Sequence, residues 1–383
     1  MIYVRPGSQV HRLITLLSVV GDFPIQSLHL LGNERVYKVL VNKLNTKQDF
    51  QNPDTGEKIS CRLLNICGKG KWKSVRFFKG GLPILRWIGA EEYYLNAFAG
   101  HDIPGDQDHR DRFHRVGEAV AMCMNADIEV RAYLLPQLLQ TGYSKNIPDE
   151  PSLYLAKDIK RIGQTELNKT CFSRMVGAIF AGRQCFAMYN TRDAAMKWSG
   201  LGEFKTQQNL KSIAGANAQI NAVDSAVLLA ESDSVALETL LAIGKNRRKD
   251  NRFDSIFRHI HAVPMNDYGV RLLRLFCVSD WKEKILDYLF DPRERSYNHG
   301  DFEYDAFIDG VYIYSFLDCD IARLQRFRSA LSHQTGLTVE ILCYPQQTSL
   351  LQVYIGKLAS MKVIELAQIE EELGVKRRNL YDR

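Results

Sequence analysis

Several residue sets in this 383-residue chain have the types and spacing to hold a metal ion or activate water. Pro148-Asp149 is followed, after a gap of eight residues, by Asp158-Ile159-Lys160. Two carboxylates so placed can share a divalent cation, Mg or Mn, while the lysine positions or activates an attacking water. His259-Ile260-His261 falls on an expected strand, where alternate side chains share a face, so both imidazoles could ligate one metal. Tyr268 and Tyr288 are the nearest hydroxyls that could serve such a pair as nucleophile. Glu231, Asp318 and Asp320 fall at the expected carboxyl ends of strands, where an α/β sheet places its ligands. Glu203-Phe204-Lys205 is a further acid and base pair, in a glycine-flanked stretch that reads as a loop.

Each set has a structural alternative. Asp149 can cap a turn with Lys160 solvated, the histidines can be satisfied structural groups, and Asp-x-Asp before a helix is an equally good N-cap. The chain has no GxxxxGK[ST] loop and no GxGxxG turn, so nucleotide-driven chemistry has no motif to rest on. Its eight cysteines are scattered without a CxxC pair, which speaks for reduced, buried thiols over a zinc knuckle or a disulfide framework. No cofactor is required by any motif, and Mg or Mn enters only if the carboxylate and lysine set works.

Charge is the more informative signal. Residues 1–105 carry 14 Lys or Arg against 8 Asp or Glu, while the remaining 36 basic and 36 acidic residues cancel. The whole net charge of +6 therefore lies in the first quarter. A localised basic field suits a polyanion, because neutralising phosphates releases counterions. The longest apolar run near the start is too short for a membrane span and has no signal-peptide layout, so a cytoplasmic protein without membrane contact is expected.

The elements that must position these residues follow from periodicity. Helices are expected over 8–20, 25–31 and 34–44, with Ser8 capping the first and Val36, Val39, Leu40 and Lys43-Leu44 repeating one face of the third. Strands at 59–66 and 74–78, joined by Gly68-Lys69-Gly70-Lys71-Trp72-Lys73, make a hairpin directly after them. That order is a winged helix-turn-helix, closed by helices at 82–88 and 91–98 and ending in a linker at 101–107. Between Lys58 and Lys79 stand seven basic residues and no acidic one. Docked on duplex DNA, the third helix would present Asn33, Arg35, Lys38, Asn42 and Lys43 to base edges and phosphates. Lys69, Lys71, Lys73 and Arg76 of the wing would hold the backbone.

A helix from 110 opens a second domain, 110–215, with strands at 130–135, 153–159 and 185–189 and a helix at 166–180. A third, 220–383, alternates strands at 226–230, 256–263, 311–317, 338–343 and 362–366 with helices at 234–243, 268–276, 281–290, 322–331, 349–355 and 368–373. The expected class is multi-domain α/β with a largely parallel sheet behind the winged module.

Asp149, Asp158 and Lys160 fit the letters of the PD-(D/E)xK nuclease signature. The histidine pair resembles the His-hydrophobic-His site of single-strand nickases, and the Glu231, Asp318 and Asp320 set resembles Toprim metal sites. As a whole, the winged module followed by RFHRVGEAV (112–120), KTCFSRMVGAIFA (169–181), Tyr189-Asn190-Thr191 and Met196-Lys197-Trp198 resembles the replication-relaxation family of plasmids and integrative conjugative elements of Gram-positive bacteria. The likeness covers residues 8–215. It implies a bacterial protein acting in replication, nicking or transfer of a mobile element, but supplies no catalytic motif. Three functions follow: a sequence-specific duplex DNA-binding accessory or initiator factor, which is favoured; a metal-dependent nuclease or nickase; and a transcriptional regulator. In the last, residues 220–383 serve as a partner-docking or homodimerisation platform.

Overall fold

The computed structural model describes residues 1–98, 107–130, 147, 149–161, 173–245, 251–296 and 302–375. It divides into two compact units, Met1–Leu135 and Pro136–Arg377. Both are mixtures of helix and strand, and the class is mixed α/β.

Unit 1 begins with β1 (Ile2–Tyr3), α1 (Gln9–Val20) and β2 (Asp22–Pro24). Ser8 Oγ caps α1 by accepting from His11 N at 3.2 Å, and Gly21, at φ 71°, ends it. A 3-10 turn, Ile25–Leu31, replaces the expected second α-helix. Then come α2 (Glu34–Leu44), β3 (Gln48–Gln51), β4 (Lys58–Cys61), β5 (Leu64–Cys67), β6 (Ser74–Phe77), α3 (Leu82–Trp87), α4 (Glu91–Phe98), α5 (Gln107–Asn125) and the short β7 (Glu129–Val130). The single strand expected at 59–66 is two. β4 pairs with β3, whose other neighbour is β1, while β5 joins β6 and β2 in an antiparallel sheet of order β2-β6-β5. Arg62 sits at the switch, donating to Leu64 O, Asn45 and Asn65.

The helix from 110, expected to open a second domain, belongs to unit 1. Asn125 joins it to α1 and the 3-10 turn, accepting from Arg12 at 2.6 Å and donating to Leu30 O at 2.6 Å. Ser27 donates to buried Glu118 at 2.7 Å. These polar contacts surround an apolar core of Leu13, Leu17, Phe23, Leu28, Leu44 and Val75, all buried.

Unit 2 runs β8 (Ser152–Leu155), α6 (Ala156–Arg161), β9 (Gly177–Ala181), β10 (Gln184–Arg192), α7 (Gly200–Ala218), β11 (Ser225–Ala230), α8 (Asp233–Gly244) and α9 (Phe253–Ile256). It continues with β12 (His259–Pro264), α10 (Asp267–Phe276), α11 (Trp281–Leu289), β13 (Ala306–Ile308), β14 (Val311–Ser315) and α12 (Ile321–Leu331), then β15 (Val339–Cys343), α13 (Thr348–Tyr354), β16 (Ser360–Val363) and α14 (Leu366–Glu372). Two sheets form within it. In the first, β12, β11 and β10 are parallel and β10, β9 and β8 antiparallel. In the second, β14, β15 and β16 are parallel and β13 is antiparallel to β14. The expected parallel sheet is thus mixed, and β10 pairs with β11 across the domain boundary expected near 215–220.

Two elements depart from expectation for clear reasons. Residues 177–181 are strand, not helix: a two-residue turn at Gly182, with φ 56°, folds β9 back on β10. The chain turns helical at Ala156, where a strand to 159 is expected. Close approach is built in at Gly269, where a Cβ would lie 1.8 Å from Pro264 O, so α10 packs on β12 only because no side chain intervenes. Among the described residues no helix is long and apolar enough to cross a membrane, and the described cysteines are free thiols.

Candidate functional site

Unit 1 carries the nucleic-acid candidates. Asn33 is the N-cap of α2, its Oδ1 accepting from Val36 N at 3.3 Å, so its side chain is engaged by the helix it starts. Tyr37, Val41 and Leu44 form the buried face: Leu44 lies where expected, while Val36 and Val39 are exposed and Leu40 is half-buried. The register follows from i, i+4, i+7 packing of the larger side chains. Arg35, Lys38, Asn42 and Lys43 are exposed, with Lys38 paired to Glu34 one turn back. Exposed among them are Val39 at 62% and Val36 at 37%, which sequence periodicity places inside.

Lys69, Lys71 and Lys73 are exposed in the connection from β5 to β6, with the Lys71 ammonium over the Trp72 ring. Arg76 differs. Its Nε donates to buried Asp22 at 2.8 Å, and Asp22 also receives His114 Nε2 at 3.0 Å. Burial opposes ionisation of Asp22, but hydrogen bonds from His114, Arg76 and Ser74 prevail and bring its carboxyl down to about 2. Arg76 is therefore an internal tie between β6, β2 and α5. Arg110 of α5 adds to the tie by donating to Trp72 O at 2.9 Å and Ser74 Oγ at 3.1 Å, which fixes the base of the lysine loop.

The nuclease-like set loses its strand. Asp158 and Lys160 lie on helix α6, where residues two apart do not share a face as on a strand, and their side chains lie outside the described residues, as does Pro148. Asp149 is exposed in a turn. β8, β9 and β10, with sequences SLYL, GAIFA and QCFAMYNTR, contain no Asp, Glu or Lys. Glu203 is not in a loop: it is buried on α7 and accepts from Ser173 Oγ, Arg174 N and Tyr189 OH, a structural knot.

The other weak sets converge. The segment after β14 runs beside β12, with a bridge between His261 and Asp320 and Ala262 N donating to Cys319 O at 2.9 Å. His259 Nδ1 donates to Asp320 Oδ2 at 2.7 Å, and His261 Nδ1 donates to Asp318 O at 2.7 Å. Asp320 is also the N-cap of α12, its Oδ1 accepting from Ala322 N, Arg323 N and Ile260 N. The cap and the histidine contact are two uses of one carboxylate. Burial resists its charge, yet the His259 hydrogen bond and the Lys282 cation hold it well below the usual carboxylate range. His261 is buried among Phe186, Phe276 and Trp281, and burial pushes its imidazole down to about 4, so it is neutral. Asp318 Oδ2 lies 3.0 Å from Lys282 Nζ.

His259, Lys282 and Asp318, with Trp281, Tyr304 and Arg323, line a cavity of about 340 Å³, and Asp320 and His261 stand behind it. Sequence reading finds the histidines and the acids, but nothing in it pairs residues 61 apart, and it misses Lys282, Arg323 and Asp305. Among the described residues no three His, Cys, Asp or Glu side chains are arranged to hold a metal ion. Glu231 is exposed past β11, Tyr268 is buried against Tyr344 with its phenol raised by desolvation, and Tyr288 is exposed on α11. No family model, curated protein or solved structure matches this chain.

Proposed function

We propose that this chain is a sequence-specific duplex DNA-binding protein, an accessory or initiator factor in replication, nicking or transfer of a mobile element. Unit 1 is read as a winged helix-turn-helix: α2 enters the major groove and the lysine loop between β5 and β6 grips the backbone. The observation that carries the reading is that Arg35, Val39 and Asn42, spaced i, i+4, i+7, are exposed along α2, with three exposed lysines on the β5 to β6 connection of the same unit. Arg and Asn can pair bidentately with guanine and adenine edges, while flexible lysines bind phosphates without reading sequence. The order β2-β6-β5 of the small sheet supports the winged reading. Placement of the protein in a mobile element rests on the resemblance alone.

The test is fluorescence anisotropy against selected and random duplexes across a salt series. Changing Lys69, Lys71 and Lys73 together to Ala should weaken all duplexes alike and reduce the slope of log K against log salt by about one for every phosphate no longer neutralised. Arg35→Ala should cost about 1–3 kcal/mol on the selected site and little on random DNA. Unchanged affinity in both variants would overturn the reading.

A further inference from the structure

The buried acids in and behind the wall of the unit 2 cavity face donors already. Asp320 Oδ1 accepts three backbone N–H groups and Oδ2 the imidazole of His259. Asp318 Oδ1 accepts from Asp320 N at 3.0 Å, and Lys282 faces Oδ2. Asp305 accepts from Arg323 at 2.6 Å through one oxygen and from Ser315 N at 2.6 Å through the other. Glu283 and Glu303 also line the cavity, Glu283 paired with Arg295 at 2.7 Å and Glu303 lying 3.5 Å from Arg323, so each acid of the lining faces a cation. Beyond these pairs the lining keeps further donors.

Lys282 keeps two of its three N–H groups beyond the one aimed at Asp318. His259, tied through Nδ1, has Nε2 left over to meet a ligand. Arg258 is exposed on the lining with a guanidinium of five donors. Cations held by an outer layer of carboxylates are pre-oriented, so a ligand's oxygens meet them without ordering long side chains. Trp281, Ile285, Leu286 and Tyr304 supply the apolar part of the wall, and the volume lies at the small-ligand end of the range for binding pockets.

We propose that this cavity is a binding site for a phosphate monoester of nucleotide size, with Arg258 and Lys282 donating to the phosphate oxygens and His259 Nε2 set against the same group. The site is independent of the DNA reading by α2. The same chemistry is offered by a free nucleotide and by the 5′-phosphate end of a DNA strand. Isothermal titration of the full chain with a deoxynucleoside monophosphate, the matching deoxynucleoside and inorganic phosphate tests it. Comparison of 5′-phosphorylated with 5′-hydroxyl oligonucleotides separates strand ends from free nucleotides.

The monophosphate should bind at least tenfold tighter than the deoxynucleoside, since charge-assisted hydrogen bonds are at stake. Arg258→Ala, at an exposed position, should lose about tenfold at unchanged melting temperature, and His259→Gln should lose a comparable factor. Tighter binding of the 5′-phosphorylated strand alone would assign the site to strand ends, still within the proposal. Equal binding of monophosphate and deoxynucleoside, or unchanged monophosphate affinity in the folded Arg258→Ala, His259→Gln double variant, would overturn it. A protein that binds monophosphates but no duplex would refute the proposed function and leave this site standing.

Discussion

Val39 sits where neither helix propensity nor packing asks for a β-branched residue, since it is exposed at mid-helix on α2 between Arg35 and Asn42. In a major groove its apolar γ-methyls match one base feature, the C5-methyl of thymine. Replacing thymine by deoxyuridine removes that methyl and nothing else. The wild-type protein should then bind the deoxyuridine form of its selected site severalfold more weakly, and Val39→Ser should bind both forms alike in the same anisotropy assay. A wild-type protein indifferent to the methyl would remove Val39 from the reading face. A second residue, Asp233, bears on stability. It opens α8 after the Ser232 cap, its Oδ1 has no hydrogen-bond partner among the described residues, and burial raises its carboxyl to about 7. A raised folded value means that the stability contribution is full below the unfolded value of 3.8 and is lost as pH rises to about 7. Asp233→Asn should raise stability at pH 8 by about 1–3 kcal/mol, with little effect at pH 4, in urea unfolding at the two values.

Helix α5 is tied to the rest of unit 1 by polar groups, among them the Asp22, Arg76 and His114 cluster, in which Asp22 and His114 are buried. Asp22→Asn leaves a largely buried guanidinium without its counter-charge and should cost about 3–5 kcal/mol. Because the folded Asp22 carboxyl lies near 2, below the usual 3.8, its contribution is present above pH 4 and lost as pH falls towards 2. The wild type but not Asp22→Asn should therefore show that acid-dependent loss, read by thermal unfolding at pH 5 and pH 3. The cluster also shows where sequence reading stops. Ser8 capping α1, the boundaries of α2 and the strand at β6 are legible, because caps and periodicity are local. The inner face of α2 is not, because valines and tyrosine compete for it, and only packing decides that Tyr37 goes in. β9 reads as helix because Met175, Val176 and Ile179 fit either period, and the deciding turn is one glycine. Arg76 reads as a free cation because its partner stands 54 residues away.

For the molecule as a whole, the excess positive charge of residues 1–105 lies in one unit with its own core, and the cavity lined by Arg258 and Lys282 lies in the other. The two units should therefore separate the two kinds of phosphate recognition. The long-range field that attracts duplex DNA depends on net charge and is screened over about 8–10 Å at ordinary salt. In the cavity, by contrast, donors paired to buried carboxylates act at contact distance and keep most of their strength in salt. Residues 1–135 expressed alone should bind duplex DNA with the salt slope of the full chain. The full chain's affinity for a monophosphate should change far less between about 50 and 200 mM salt than its affinity for duplex, which should fall by about 10³ or more if six or more phosphates are neutralised. A monophosphate affinity that falls as steeply as duplex affinity would mean that the nucleotide is held by the basic face of unit 1, and that the donors around His259 serve only the fold.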